Sequence, residues 1–511
     1  MSVLLKLLFF LFFIVIVSSC HEKTENINKD LSLEAYSDLK VAKYSLDVDK
    51  IRSQILRLAF NDGVALPMDG RVIKYYKDNN PLIWVNRSGV YERADTFLCI
   101  LKGIDYYGLR KKAFRVSEIE NDINRIRDLR FSYPDTDIND VMARLEYNLT
   151  KAYFRYSAGQ YFGFVNPDYL YNNLERYEVD STAMKYKQLC DLNVLKPDSK
   201  FYSKAVKAAF CDSVSEFLDD VVPHGVLLDA MLQLLHKSSS SSQRLKILCN
   251  IERCRWRMRG ISNADAYRKY VIVNIPSFDL RAVDNGNVQT MNICCGEVKY
   301  KTPLLASWIK RMDVNPQWIV PKSISKSFLY NFSYMHRMGM YVLDKEKGKL
   351  PPEQVSYDKI MSNEQHIVQS GGRKNALGRI IFRFDNNFSV FLHDTSSPWL
   401  FKRPQRALSH GCVRVEKPFD LALFLLGERA EDMEDKLKYS MSVDFINDVD
   451  SMKKRNIDRK RLISTLRVTP QIPLYITYYT IYYNADGKLA EYDDVYSYDD
   501  VLIEKLSPFF E

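Results

Sequence analysis

Several absences bound this chain before any motif is read. Its nine cysteines, at positions 20, 99, 190, 211, 249, 254, 294, 295 and 412, include no paired C-x-x-C spacing, so a structural zinc site is not indicated. No nucleic-acid-binding motif is found. Neither sign of charge dominates: 73 Lys and Arg against 64 Asp and Glu leave +9 over 511 residues. That balance suits an anionic polymer or a membrane surface and does not point to nucleic acid. The apolar run from Leu7 to Val17 is 11 residues long, short of the roughly 20 that span a bilayer. What remains is an ordinary globular composition, long enough for two or three domains and a sizeable core.

The short apolar run follows Lys6 and the amino terminus and reads as the h-region of an export signal. Val17-Ser18-Ser19-Cys20 follows it and resembles a bacterial lipoprotein box. That resemblance implies lipidation at Cys20, a membrane anchor and an exported, periplasmic location, since two or more acyl chains hold a protein stably. The alternative is ordinary cleavage nearby. Setting aside Cys20 and Cys412 leaves seven cysteines, an odd number that forbids complete disulfide pairing. Cys249 and Cys254 read as core thiols on a helix. Cys294 and Cys295 are adjacent on an expected strand, which sends their side chains to opposite faces.

The chemistry concentrates in two stretches, Phe391-Leu392-His393-Asp394-Thr395 and Ser409-His410-Gly411-Cys412-Val413-Arg414-Val415. A thiol is a weak nucleophile until an imidazole takes its proton or a positive environment lowers its pKa. His393 and His410 are the candidate partners of Cys412. Phe388, Val390 and Leu392 alternate with Ser389, Phe391 and His393, which predicts a strand after the turn Asp385-Asn386-Asn387. Gly411 permits a positive φ or a close backbone approach before the thiol. Backbone N–H groups of such a turn could hold an oxyanion. The competing interpretation is a buried structural cysteine near two unrelated histidines.

The constellation of His393 followed by Ser409-His410-Gly411-Cys412-Val413-Arg414 resembles the signature of the L,D-transpeptidase catalytic domain. Ile138, Val141, Met142, Leu145, Leu149, Ala152 and Tyr153 fall at helical spacing and give one apolar face. Flanking segments resemble that family's large, scaffold-containing subgroup: Tyr75 to Val85, Arg155-Tyr156 to Pro167, Tyr270 to Pro276, Lys301-Thr302-Pro303 and Asn315 to Pro321. The resemblance implies an α+β multidomain fold, with a helical scaffold domain and a β-rich catalytic domain carrying an inserted lid. On it we divide the chain into a signal peptide (1–20), a tether (21–45), a helical scaffold (46–266), a catalytic domain (267–440, lid about 322–378) and a C-terminal helix and β-hairpin extension (441–511). There is no room for the separate peptidoglycan-binding module that the subgroup often carries.

Within that frame, Ser238 to Ser242 reads as a flexible loop. Glu252, Arg253, Arg255, Arg257 and Arg259 read as the solvated face of a helix. The span 322–378 reads as irregular, with Gly371 and Gly372 as its hinge. Residues 429–468 read as charged and helical, with Lys453-Lys454-Arg455 and Arg459-Lys460-Arg461 as a solvated face. Ile472 to Thr480 reads as one arm of a hairpin across Asn484-Ala485-Asp486-Gly487.

The family's chemistry, carried onto these residues, makes Cys412 the nucleophile on a peptidoglycan stem tetrapeptide and His393 its base. A thioester forms, and a diaminopimelate amine of a neighbouring stem resolves it as a 3–3 cross-link. His410 would orient the turn and Ser409 support the imidazole network. Arg414 would pair with a substrate carboxylate, or else form a structural salt bridge. Arg406 and Asn375 are further substrate-binding candidates. No metal or organic cofactor is required. Carbapenem-type inhibitors are expected to acylate the thiol. Water in place of the amine would make the protein a carboxypeptidase or hydrolase. A non-catalytic wall-binding lipoprotein is the remaining alternative.

Overall fold

The computed structural model describes residues 44–131, 137–180, 183–444 and 457–510. The expected signal peptide, nearly all of the tether, Cys20 and the basic run Lys453-Lys454-Arg455 lie outside them. The described chain divides into two units, one of residues 44–166, 194–257 and 499–510, the other of 167–193, 258–444 and 457–498.

The first unit is helical. Its helices include α1 (Val48–Asp62), α2 (Pro67–Lys77), α3 (Ile138–Phe162) and α4 (Ser241–Arg255). Asp47 starts α1 by accepting from the N–H groups of Asp49 and Lys50, each at 3.0 Å. Those donors have no partner within the helix, so the cap stabilises its first turn. The expected apolar face of α3, from Ile138 through Tyr153, is buried. So is most of its opposite face, including Glu146, Thr150, Lys151, Arg155 and Gln160. Helix α3 is therefore the axis of this unit, and its polar residues must find partners inside it.

They do. Glu146 accepts from Tyr76 Oη at 2.6 Å and from the N–H groups of Ile83, Trp84 and Val85 at 2.5, 2.8 and 3.2 Å. Arg155 pairs with Asp69 through two bonds of 2.6 and 2.7 Å. The expected solvated face of α4 is a misreading for three of its five residues, while Arg257 is half-buried and Arg259 exposed. Glu252, Arg253 and Arg255 are buried. Arg255 donates to Gln160 at 2.9 Å and meets Glu252 at 3.3 Å, while Arg253 pairs with Asp499 at 2.6 Å. The expected loop at Ser238–Ser242 is also shorter, because Ser240 caps α4 and Ser241 already belongs to it.

The second unit is built on a closed β-barrel. Its strands are β1 (Lys269–Asn274), β2 (Asp279–Asp284), β3 (Asn287–Gly296), β4 (Leu304–Val314), β9 (Ile380–Phe384), β10 (Leu392–His393), β11 (Ala407–Ser409), which pairs β3 alone among the described residues, β12 (Val413–Val415) and β13 (Thr465–Thr477). Among the described residues the order is β9-β10-β12-β3-β2-β1-β13-β4, and β4 pairs back onto β9. Closure removes the unpaired sheet edges. A hairpin at Asp284–Asn287 joins β2 to β3, with positive φ at Asn285 and Gly286, as a tight two-residue turn demands.

Strand β13 departs from the expected arrangement. Residues 429–468 are not one helix: helix α6 (Ala430–Ser442) follows α5 (Pro418–Leu426), and Thr465 already opens β13. Ile472 to Thr477 is not an arm of a terminal hairpin. It lies between β1, parallel with Leu474 beside Val271, and β4, antiparallel with Ile472 beside Ile309. The hairpin across Asn484–Gly487 instead joins Ile481–Tyr483 to Leu489–Glu491.

The insertion between β4 and β9 is ordered rather than irregular. Strands β5 (Trp318–Ile319), β6 (Met340–Asp344), β7 (Gly348–Leu350) and β8 (Gln365–Gln369) form an antiparallel sheet in the order β5-β8-β6-β7. Val320, Met335, Met340, Ile360 and Ile367 make its own small core. Its stem is tight: a Cβ on Gly371 would lie 2.4 Å from the Asn315 carbonyl oxygen, so glycine there serves a close backbone approach.

Candidate active site

Strand β12 carries the site. It runs parallel to β10, with His393 beside Arg414, and antiparallel to β3, with Cys294 beside Arg414. Side chains at paired positions share a face of the sheet. Arg414, His393 and Cys294 therefore face one way, and the two-residue period puts Cys412 on the same side. The expected strand over 388–393 is reduced to Leu392–His393. Before it the Asn386 carboxamide organises a loop, accepting from the N–H groups of Phe388 and Val390 at 3.0 Å each and donating to the Val390 carbonyl at 2.9 Å. Ser389 adopts a left-handed φ of 56°. Its carbonyl accepts the Cys412 thiol at 3.9 Å.

The turn that presents the thiol is braced from both sides. Gly411 has φ 107°, a region that strains any residue with a Cβ. Ser409 Oγ donates to the Cys412 carbonyl at 2.5 Å and accepts from Gly411 N–H at 3.2 Å. Thr302 Oγ1 donates to the Gly411 carbonyl at 2.8 Å and accepts from Gly296 N–H at 2.8 Å. Tyr496 Oη accepts from Thr302 N–H at 3.1 Å and donates to the Gly296 carbonyl at 2.6 Å. Ser409 thus shapes the turn and makes no bond to the His393 ring.

The electrostatics keep both reacting groups neutral. His393 is 4% exposed. Burial, followed by the Arg414 charge, pushes its pKa down to about 4, against the carbonyls of Asp394 and Leu377, which favour its protonated form. Its Nδ1 lies 2.5 Å from the Asp394 carbonyl. A carbonyl only accepts, so Nδ1 carries the hydrogen and Nε2 is the acceptor of the neutral ring. Burial pushes the Cys412 thiol above its ordinary range, opposed by the Phe391 N–H and by Arg414. At neutral pH the pair is thiol and imidazole, so a sulfur nucleophile at this position would need a proton transfer.

The other candidates fall into three kinds. Arg414 is half-buried, its guanidinium destabilised by burial. It enters no hydrogen bond or ion pair among the described residues. Such a cation can receive a carboxylate from outside. His410 is exposed and stacks on Tyr300, with centroids 4.5 Å apart, away from any base role. Arg406 and Asn375 are already engaged within the protein. Arg406 donates to the carbonyls of Ile293, Arg403 and Phe278. Asn375 is buried, its Nδ2 directed to the carbonyls of Pro316, Ser370 and Gln369 and its Oδ1 to the Leu377 N–H. Asn375 offers no free polar atom to a substrate.

Thr302, Asn386 and Ser389 escape a reading of the sequence as site residues. The Asp-Asn-Asn cluster before the catalytic strand was the available signal for Asn386. Thr302 lies 110 positions before Cys412, and the resemblance of Lys301-Thr302-Pro303 to the family assigns it no role. No group of three or more His, Cys, Asp or Glu residues poised for a metal occurs among the described residues.

Two family matches cover this chain. The YkuD family, the L,D-transpeptidase catalytic domain, matches residues 268–434, and the Scaffold domain family matches 70–226. A Haemophilus influenzae protein, whose name gives L,D-transpeptidase as a provisional assignment, is 24% identical over 310 residues. That match spans 60% of this chain and 59% of the relative's length. Among solved structures, "Structure of the Ldtfm-avibactam carbamoyl enzyme" is 12% identical over 32% of this chain and 47% of that one, with a TM-score of 0.18. "L,D-transpeptidase from Mycobacterium smegmatis" is 14% identical over 41% and 58%, also with a TM-score of 0.18. Superpositions that poor carry no weight here. The family matches do: residues 268–434, which hold His393 and Cys412, are an L,D-transpeptidase catalytic domain, and residues 70–226 are a scaffold domain.

Proposed function

We propose that the protein forms 3–3 cross-links between peptidoglycan stem peptides through a thioester on Cys412. The observation that carries this reading is the shared face of Cys412, His393 and the unpaired Arg414. The Cys412 sulfur attacks the carbonyl carbon of the third residue of a tetrapeptide donor as His393 takes the thiol proton. Collapse of the tetrahedral intermediate breaks the peptide bond. The departing D-alanine amine receives that proton, leaving the thioester. A diaminopimelate side-chain amine then attacks, His393 accepts its proton, and the thiol is regenerated. Arg414 receives a stem-peptide carboxylate. The Cys412 N–H is the oxyanion donor we favour, because the Gly411 N–H is engaged by Ser409.

Carbapenem-type compounds would acylate the same thiol. The apolar run before Cys20 supports export to the periplasm and lipid anchoring at Cys20. No described helix is long and apolar enough to cross a membrane.

Incubation with disaccharide-tetrapeptide, followed by intact-mass and product analysis beside Cys412→Ala, tests the reading. A dimer lacking one D-alanine, absent with the variant, is expected. Tripeptide alone would assign a hydrolase. Folded protein giving neither adduct nor product would overturn both.

A further inference from the structure

The turn between the lid and β9 holds Asp394, whose carbonyl meets the His393 ring, and the lid holds that turn. Arg379 N–H donates to Asp394 Oδ2 at 2.7 Å, Asp394 N–H donates to the Ile380 carbonyl at 2.9 Å, and Ile381 pairs with His393. On its other side the turn is gripped by two carboxamides. Asn375 Oδ1 accepts from Leu377 N–H at 2.8 Å. Its Nδ2 reaches the Pro316 carbonyl on the entering stem at 3.1 Å and the Ser370 carbonyl on the leaving stem at 3.0 Å. Gln369, the last residue of β8, accepts from Ala376 N–H at 2.9 Å and donates to the Lys374 carbonyl at 2.8 Å.

We propose that Asn375, supported by Gln369, is a positioning residue that ties the lid stem to the catalytic imidazole by fixing the turn that holds Asp394, whose carbonyl orients the ring. When His393 takes the thiol proton at Nε2, its Nδ1–H stays on the Asp394 carbonyl. A buried imidazolium with that partner displaced costs more to form, so loosening the turn weakens the base without touching thiol or substrate. A buried carboxamide spanning both stems also makes the imidazole's environment depend on where the lid stands.

The proposal rests on the acyl-transfer reading only in taking Cys412 and His393 as nucleophile and base. The test therefore uses no peptidoglycan. Alkylation of Cys412 by iodoacetamide is followed by peptide mass across pH in the full chain. Wild type is expected to show a neutral-pH plateau that His393→Gln removes, and a rise at alkaline pH where thiolate forms unaided. Asn375→Ala is expected to lower the plateau roughly tenfold, a fraction of what a general base contributes, and to leave the alkaline rate unchanged. Gln369→Ala is expected to give the same signature with a smaller drop, and carries the test if Asn375→Ala does not fold. A plateau unchanged in Gln369→Ala and in folded Asn375→Ala, or a fall at neutral and alkaline pH alike, overturns the coupling while leaving the base intact. A wild-type profile without a His393-dependent plateau overturns the base and the coupling together.

Discussion

Asp69 and Arg155 in the helical unit are both buried and meet through two short bonds. Arg414 in the barrel is half-buried and meets no acid among the described residues. The same contrast separates the two buried titratable groups. Glu146 is pushed up by burial, but Tyr76 and three backbone N–H groups hold it. His393 is pushed down by burial and by Arg414, and carries no charge at neutral pH. At Glu146 and at the Asp69–Arg155 pair desolvation is compensated on the spot. Around Cys412 part of it is left uncompensated, and the balance is available to a ligand or a transition state.

Substitutions at either place should break in different observables. The largest effect is expected on chemistry: His393→Gln should slow acylation of Cys412 by roughly 10²–10⁴-fold with little change in melting temperature. A large loss of stability instead would mean that His393 is structural. Next is the buried pair. Asp69→Asn leaves Arg155 without its carboxylate and should cost about 3–5 kcal/mol in urea unfolding. Arg414→Leu should do the reverse, keeping or raising stability while increasing the apparent KM about tenfold or more, as a lost charged hydrogen bond predicts. If Arg414→Leu unfolds the protein as readily as Asp69→Asn, the contrast between the two units fails.

The pH dependence sharpens the same contrast. Folded His393 titrates at about 4 against an ordinary 6.5. The unfolded chain therefore binds a proton in that window that the folded chain refuses, and stability falls as pH drops from 6.5 toward 4. In His393→Gln that part of the slope should vanish from pH-dependent urea titrations. Asp62 provides the opposite case in the helical unit. Burial pushes it up, yet Arg115, Lys151 and Tyr147 hold it at about 2, so its contribution is lost only as pH falls from 3.8 through about 2. The smallest effect is expected at His410. As an exposed ring stacked on Tyr300, it should change stability by less than about 0.5 kcal/mol when replaced by alanine.

The candidate thiol, its turn and Arg414 were legible because six consecutive residues carry them. The supports of that turn were not. Thr302, Tyr496 and Asn386 reach it only after the barrel closes, and no local period announces such contacts. Residues 388–393 alternate as a strand should, yet hydrogen bonds from Asn386 to its own loop outcompete the ladder. On α4 the opposite error arises. Consecutive charges look solvated, and only the partners Gln160, Glu252 and Asp499 reveal that Arg253 and Arg255 are inside. The lid looked irregular because its strands are short and its core is made of scattered Met and Ile residues.

The place of β13 in the barrel has a consequence for assembly. A chain emerging from its N-terminal end exposes Cys412 some fifty residues before Thr465 appears, yet β1 and β4 have no partner between them until Thr465–Thr477 arrives. A fragment stopping at residue 460 would hold every residue of the catalytic turn and still leave both strand edges bare, open to pairing with another chain. The reactive thiol is thus assembled late in biosynthesis, and premature termination should yield sticky, inactive fragments rather than a partly working enzyme.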